Sequence, residues 1–143
     1  MRKLLLLTAI VTLILTGCKS KQQEKVEYVN ASGYFVRNDI ADGTIIQKIT
    51  SQEQLDGYFG MGATMSVRPT AFDFTKEYAI AVILPLTENS STINIDSLLR
   101  GNGKVNLYYS VQTGSPQTYT SRPFTLLVID RKYDGELDVT ANK

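Results

Sequence analysis

Between Tyr78 and Leu84 the chain reads Tyr-Ala-Ile-Ala-Val-Ile-Leu, a strand's length of residues with no polar face. Such a run predicts a central strand covered on both sides, because a surface strand alternates apolar and polar positions. Phe124, Leu126 and Val128 alternate with Thr125, Leu127 and Ile129, so both faces there carry apolar weight. Val105, Leu107, Tyr109 and Val111 alternate with Lys104, Asn106, Tyr108 and Ser110, which sorts the first set onto a core face and the second toward solvent. The stretches 44–50 and 92–96 are rich in β-branched residues and predict further strands.

Turn chemistry separates these runs. Gly101-Asn102-Gly103 supplies the positive φ that a tight hairpin needs, and Asp42-Gly43 and Asp134-Gly135 mark two more turns. One stretch has helical period. Ser51 and Gln54 have capping-box spacing, Leu55, Tyr58 and Phe59 share a face, and Gly60 is the expected stop. The pattern predicts an α+β, β-rich fold: an antiparallel or mixed, sandwich-like sheet with one short helix over residues 51–59.

The N-terminal residues follow a different pattern. Met1-Arg2-Lys3 is positive, and Leu4 to Leu15 is apolar apart from Thr8 and Thr12. That run is short of the ~20 residues a spanning helix requires and reads as a secretory signal. Leu15-Thr16-Gly17-Cys18 resembles the lipobox of bacterial lipoproteins. The resemblance implies a diacylglyceryl group on the Cys18 sulfur, cleavage before it, and an extracytoplasmic protein lipid-anchored to the cell envelope. Lys19, rather than Asp, after the Cys favours the outer membrane in a cell with two. One acyl chain binds a bilayer only reversibly, whereas two hold. The expected organisation is a signal over 1–17, a flexible tether over 18–27, and a single globular domain over 28–143.

Composition narrows the function. Without residues 1–17 the chain has 13 basic and 14 acidic side chains, and no basic cluster lies beyond the tether, so nothing suggests nucleic acid. There is no His and Cys18 is the only Cys, which removes Ser-His and Cys-His catalysis, His-ligated metals and internal disulfides. No G-x-S-x-G or S-x-x-K occurs, and no phosphate-cradling glycine loop. No cofactor, metal site or catalytic residue is expected. Asp130, Asp134, Glu136 and Asp138 are close in sequence, but Lys132 stands where a calcium loop needs an oxygen ligand. They read as a strand end, a turn and a final strand, and Asp73 as the cap of the turn before Tyr78.

Two stretches look like contact surfaces. Residues 61–69 carry Met61 and Met65, whose flexible thioethers suit adaptable protein contacts, although a loop folded over the core fits the same residues. Residues 114–123 read as a long polar loop presenting Tyr119, although a plain hairpin connection fits the same residues. Met61, Met65 and Tyr119 are the candidate partner-binding residues.

The segments TSQEQLD at 50–56, FDFTKEYAIAV at 72–82, INIDSL at 93–98 and TSRPFTLLVID at 120–130 are similar to the C-terminal domain of PrcB-type proteins. That resemblance implies an exported protein that stabilises a surface protease complex. Where the family tends to carry a Gly-Gly-Tyr stretch after the central strand, this chain has PLTENSST at 85–92. The expected function is a non-catalytic envelope lipoprotein that binds or stabilises another exported protein, a protease being the family's case. The alternative is a glycan-binding lipoprotein or a small carboxylate-dependent hydrolase using exposed tyrosines such as Tyr108 and Tyr119.

Overall fold

The structure is a computed structural model and describes residues 22–143. The signal segment 1–17 and Cys18 lie outside the described residues. Ten strands form in chain order: β1 (Glu24–Lys25), β2 (Tyr28–Asn30), β3 (Tyr34–Val36), β4 (Ile45–Ile49), β5 (Phe59–Met61), β6 (Glu77–Ile83), β7 (Thr87–Gly101), β8 (Lys104–Ser121), β9 (Phe124–Asp130) and β10 (Glu136–Asn142). Helix α1 spans Gln52–Tyr58, and a 3-10 turn spans Arg131–Tyr133.

Two four-stranded sheets face each other, with strand orders β1-β7-β8-β10 and β2-β9-β6-β4, and β3 and β5 form a separate two-stranded ribbon. Strand β6 lies between β9 and β4, as its unbroken apolar run requires. Its alternate side chains serve two different cores. Tyr78, Ile80 and Val82 join Leu127 and Ile129 from β9 against Leu98, Val105, Leu107 and Tyr109 of the opposing sheet. Ala79, Ala81 and Ile83 point the other way, with Leu126, and are covered by Leu55 of α1, Val36 and Phe59. The architecture is therefore three-layered: sheet, central sheet, and a cover of helix plus ribbon. All sheet pairings are antiparallel except β8 with β10, which run parallel.

The hairpin between β7 and β8 turns through Asn102 (φ 56) and Gly103 (φ 74), the two positive values of a two-residue turn. Helix α1 begins as expected, with Ser51 Oγ accepting from Gln54 N at 3.2 Å. The reciprocal bond falls one residue earlier, from Thr50 N to Gln54 Oε1 at 2.8 Å.

Three sequence expectations are corrected. The helix is not stopped by Gly60: Phe59 already turns extended (φ −126, ψ 146) and leads into β5. Gly60 instead lets the half-exposed Phe35 ring lie across β5, where a β-carbon would come within 2.3 Å of Phe35 Cζ unless the ring shifted. The stretch from Gly114 to Ser121 is not a free loop but the outer end of β8, paired with β7 through Asn89–Pro116 and Thr87–Ser121. The extra residues 117–120 are accommodated as a bulge opposite Glu88. The folded part also starts before Tyr28, since β1 pairs with β7 and Val26 is buried at 1% exposure, its N–H donating to Leu98 O at 2.9 Å.

Two side-chain clusters fasten the layers. Lys48 on β4 donates to the Asp134 carboxylate and, at 2.7 Å, to Gly135 O, while its ammonium sits 4.9 Å from the centre of the buried Tyr78 ring. Burial pushes the Tyr78 phenol far above its ordinary range, and its hydroxyl donates to Tyr133 O at 3.2 Å. At the other end Arg122 donates to the carbonyls of Leu84, Ile40, Ala41 and Gly43.

Candidate functional site

Residues 62–70 form a loop that is fixed at its base and free at its tip. Gly62 N donates to Gly33 O at 2.9 Å where the loop leaves β5. Where it returns, Thr70 N donates to Ser32 O, Ser32 N donates to Thr70 Oγ1, and the Tyr34 hydroxyl donates to Thr70 O at 2.6 Å. Between these staples Thr64 N donates to Val67 O and Val67 N to Thr64 Oγ1, closing a small turn. Met65 lies on that turn, wholly exposed, while Met61 at the base is 65% exposed and Val67 partly so. The loop does not fold its methionines over the core.

Backbone geometry makes the staple possible. Gly33 has φ +77, and a β-carbon there would lie 2.6 Å from Pro69 Cα, so only glycine lets the two segments approach. Beneath the loop Tyr34, Phe59, Phe72 and Phe124 interlock, with Tyr34 edge-on to Phe72 at 5.8 Å and Phe59 5.3 Å from Phe124. A rigid aromatic base thus carries a loop that presents apolar, polarisable side chains to solvent. On the outward face of the ribbon, Phe35 adds a half-exposed ring.

Tyr119 stands apart from this loop. It projects from the β8 bulge, 61% exposed, its hydroxyl accepting from Gln117 Nε2 at 3.1 Å. No hydrogen bond or ring contact among the described residues connects it with Met61 or Met65. Tyr108, flanked by its strand partners Ser97 and Thr140, lies on the solvent face of its sheet, opposite to the buried Tyr109.

The carboxylates considered from sequence are distributed as local structure. Asp130 Oδ1 accepts from Lys132 N and caps the 3-10 turn, and Asp73 Oδ1 accepts from Thr75 N at 3.1 Å. The Lys48 ammonium holds the Asp134 carboxyl below its usual range, and bonds from Thr75 do the same for Asp73. Among the described residues no group of three or more acidic, Cys or His side chains is placed to hold a metal.

One feature was not legible from sequence. A groove of ≈ 790 Å³ opens where β1 passes to β2, bounded by Lys25–Val29, by Lys76 and Glu77 at the start of β6, and by Val128, Asp130, Lys132 and Tyr133. Glu77 and Asp130 are direct cross-strand partners there, and Glu77 Oε1 accepts from Asp73 N at 2.9 Å. Its lining comes from the ends of three separate segments, so no single stretch of sequence announces it.

In comparison with known proteins, no family model, curated protein or solved structure matches the chain.

Proposed function

We propose that this chain is a non-catalytic, lipid-anchored protein of the cell envelope that binds another exported protein through the 62–70 loop. The observation that carries the reading is Met65, held wholly exposed on a turn whose base is stapled by four backbone and side-chain hydrogen bonds. Apolar side chains on a soluble surface are usually scattered, and a preorganised tip that presents one lowers the entropy lost when a partner seats on it. Anchoring follows from the lipobox resemblance at Cys18, and the PrcB-like segments favour a protease as the protein bound. Those segments coincide here with α1 and its cap, with β6 and its lead-in, with the inner part of β7 and with β9.

Glu77 and Asp130 in the groove favour a second reading, a small hydrolase. It is weaker, because each of the pair already accepts a backbone amide that shapes a turn. The test is recovery of an exported protein from solubilised membranes with the chain as bait, repeated with Met65→Asp and with Tyr119→Ala. Loss of the recovered protein with Met65→Asp, at unchanged circular dichroism, is expected. Retention with Met65→Asp together with loss in Glu77→Gln of a hydrolytic activity measured on the isolated chain would replace this reading by the second.

A further inference from the structure

The position of the groove is as informative as its lining. Val26, where the chain enters the core, is anchored to Leu98 O, and its neighbours Lys25 and Glu27 both line the groove. Cys18 is eight residues upstream, so a fully extended connection reaches at most about 28 Å. On the lipoprotein reading, the groove is therefore held within that distance of the bilayer surface.

The lining has the chemistry of a headgroup layer. Tyr28, Val29 and Val128 contribute apolar surface beside the buried Val26 and Tyr133, and Val29 is 65% exposed although it sits in a strand. Tyr and Lys side chains combine an apolar body with a polar tip, which places them at the boundary between acyl chains and water. Lys25, Lys76 and Lys132 share the groove with Glu27, Glu77 and Asp130. Lysines alone would select an anionic surface; equal numbers of both signs fit a ligand that carries both.

The acidic partners are also available. Glu77 and Asp130 lie directly opposite each other on β6 and β9, an arrangement of like charges that a cation between them would relieve. Each uses one oxygen on a backbone amide, and among the described residues neither has an ion-pair partner within 4.0 Å. The Lys132 ammonium rests over the Tyr133 ring at 4.8 Å, and Lys76 is 3.4 Å from Asp73.

We propose that the groove seats the headgroup of a zwitterionic phospholipid with a primary ammonium. Its phosphate meets Lys25, Lys76 and Lys132, and its ammonium lies between Glu77 and Asp130. The domain then rests on the bilayer by this face, leaving the 62–70 loop to its protein partner. The geometry rests on the lipoprotein reading; the groove chemistry does not.

The test uses the chain from residue 18 with Cys18→Ser, so that no acyl chain contributes; both cores are built from Val26 onward and lose nothing. Co-sedimentation is measured with vesicles of phosphatidylcholine alone, phosphatidylcholine with phosphatidylethanolamine, and phosphatidylcholine with phosphatidylglycerol. Preference for the phosphatidylethanolamine vesicles is expected, with about a fivefold loss of binding for Lys132→Glu and none for Gln112→Glu on the far sheet. Both variants carry exposed positions, and circular dichroism checks that they fold. Absence of binding to all three vesicles, equal binding to phosphatidylglycerol vesicles, or full binding by Lys132→Glu overturns the proposal. Membrane fractionation of the full chain and its Cys18→Ser variant tests the anchor separately, so the two failures are distinguishable.

Discussion

Gly33 and Pro69 approach so closely that a β-carbon on residue 33 would stand 2.6 Å from Pro69 Cα and 2.8 Å from Pro69 N. The contact joins the lead-in of β3 to the end of the 62–70 loop. Gly33→Ala adds both that clash and a positive φ unfavourable to any side chain, and should cost about 1–2 kcal/mol in denaturant unfolding. The loop staples should loosen with it, so amide exchange at Gly62 and Thr70 should accelerate more than in β6. Unchanged exchange at those two amides would show that the loop is held by something other than this approach.

Asp134 ties the acid stability of the fold to Lys48. Its folded pKa is lowered, chiefly by the Lys48 hydrogen bond, so the pair stabilises above the unfolded carboxyl pKa of about 3.9 and the contribution disappears as pH falls through the lower folded value. Asp134 is 45% exposed, so solvent screening keeps the contribution small. With no His in the chain, the melting temperature should be nearly flat from about pH 5 to 8 and fall below about pH 4. Asp134→Asn should lower the plateau and make the acid limb shallower, as read by thermal melts across that range.

Ile80 and Ile83 are both fully buried on β6, but they face different cores. Ile80→Val and Ile83→Val should each cost about 0.5–1.5 kcal/mol. Because the sheet backbone separates the two sites, the double variant should cost their sum to within about 0.5 kcal/mol in urea unfolding. A large coupling energy would mean that the layers on either side of the central sheet do not pack independently.

What the sequence disclosed follows from where each element's information resides. The Tyr78–Leu84 run, the alternation through Tyr109 and the capped helix are local patterns, and local patterns survive folding unchanged. The outer ends of β7 and β8 were opaque because Thr87–Ser91 and Gln112–Ser121 are polar on both faces and include Gly114 and Pro116. They are strands because they pair with each other, with bulges absorbing the mismatch. Strands β1, β2 and β3 are two or three residues long, too short to show a period. At the candidate site Met65 was legible as an apolar side chain among polar ones, but the staple from Gly33 and Ser32 to a loop some thirty residues away was not. The groove needed three chain segments to meet.

On the proposed lipoprotein reading, in which the lipobox resemblance implies a diacylglyceryl group on the Cys18 sulfur, replacing Cys18 by Ser should move the protein from the membrane fraction to the soluble one. The prediction is read by fractionation and by loss of radiolabelled fatty-acid incorporation. Labelled, detergent-releasable protein in the Cys18→Ser variant would place the anchor elsewhere.

Arg122 shows how one side chain can set a corner of the fold. Strand β6 leaves the central sheet toward β7 beside the point where β8 enters it as β9, and Leu84 N donates to Pro123 O at 2.9 Å there. The Arg122 guanidinium reaches Leu84 O from Nε at 3.2 Å and the carbonyls of Ile40, Ala41 and Gly43 from its terminal nitrogens, so it pins the 40–43 loop to that corner. Asp42 completes the arrangement by accepting from Leu86 N at 3.0 Å, a bond that holds its carboxyl below the usual range. A planar fork with five donors can serve several carbonyls at once; an ammonium on a flexible stem cannot keep the same geometry. Arg122→Lys should therefore destabilise the chain by about 1–2 kcal/mol while keeping the charge, and Asp42→Ala should add little once Arg122 is gone, because the two hold the same loop. A double-mutant cycle in urea measures both statements. Strict additivity would mean that Arg122 and Asp42 fasten the corner independently.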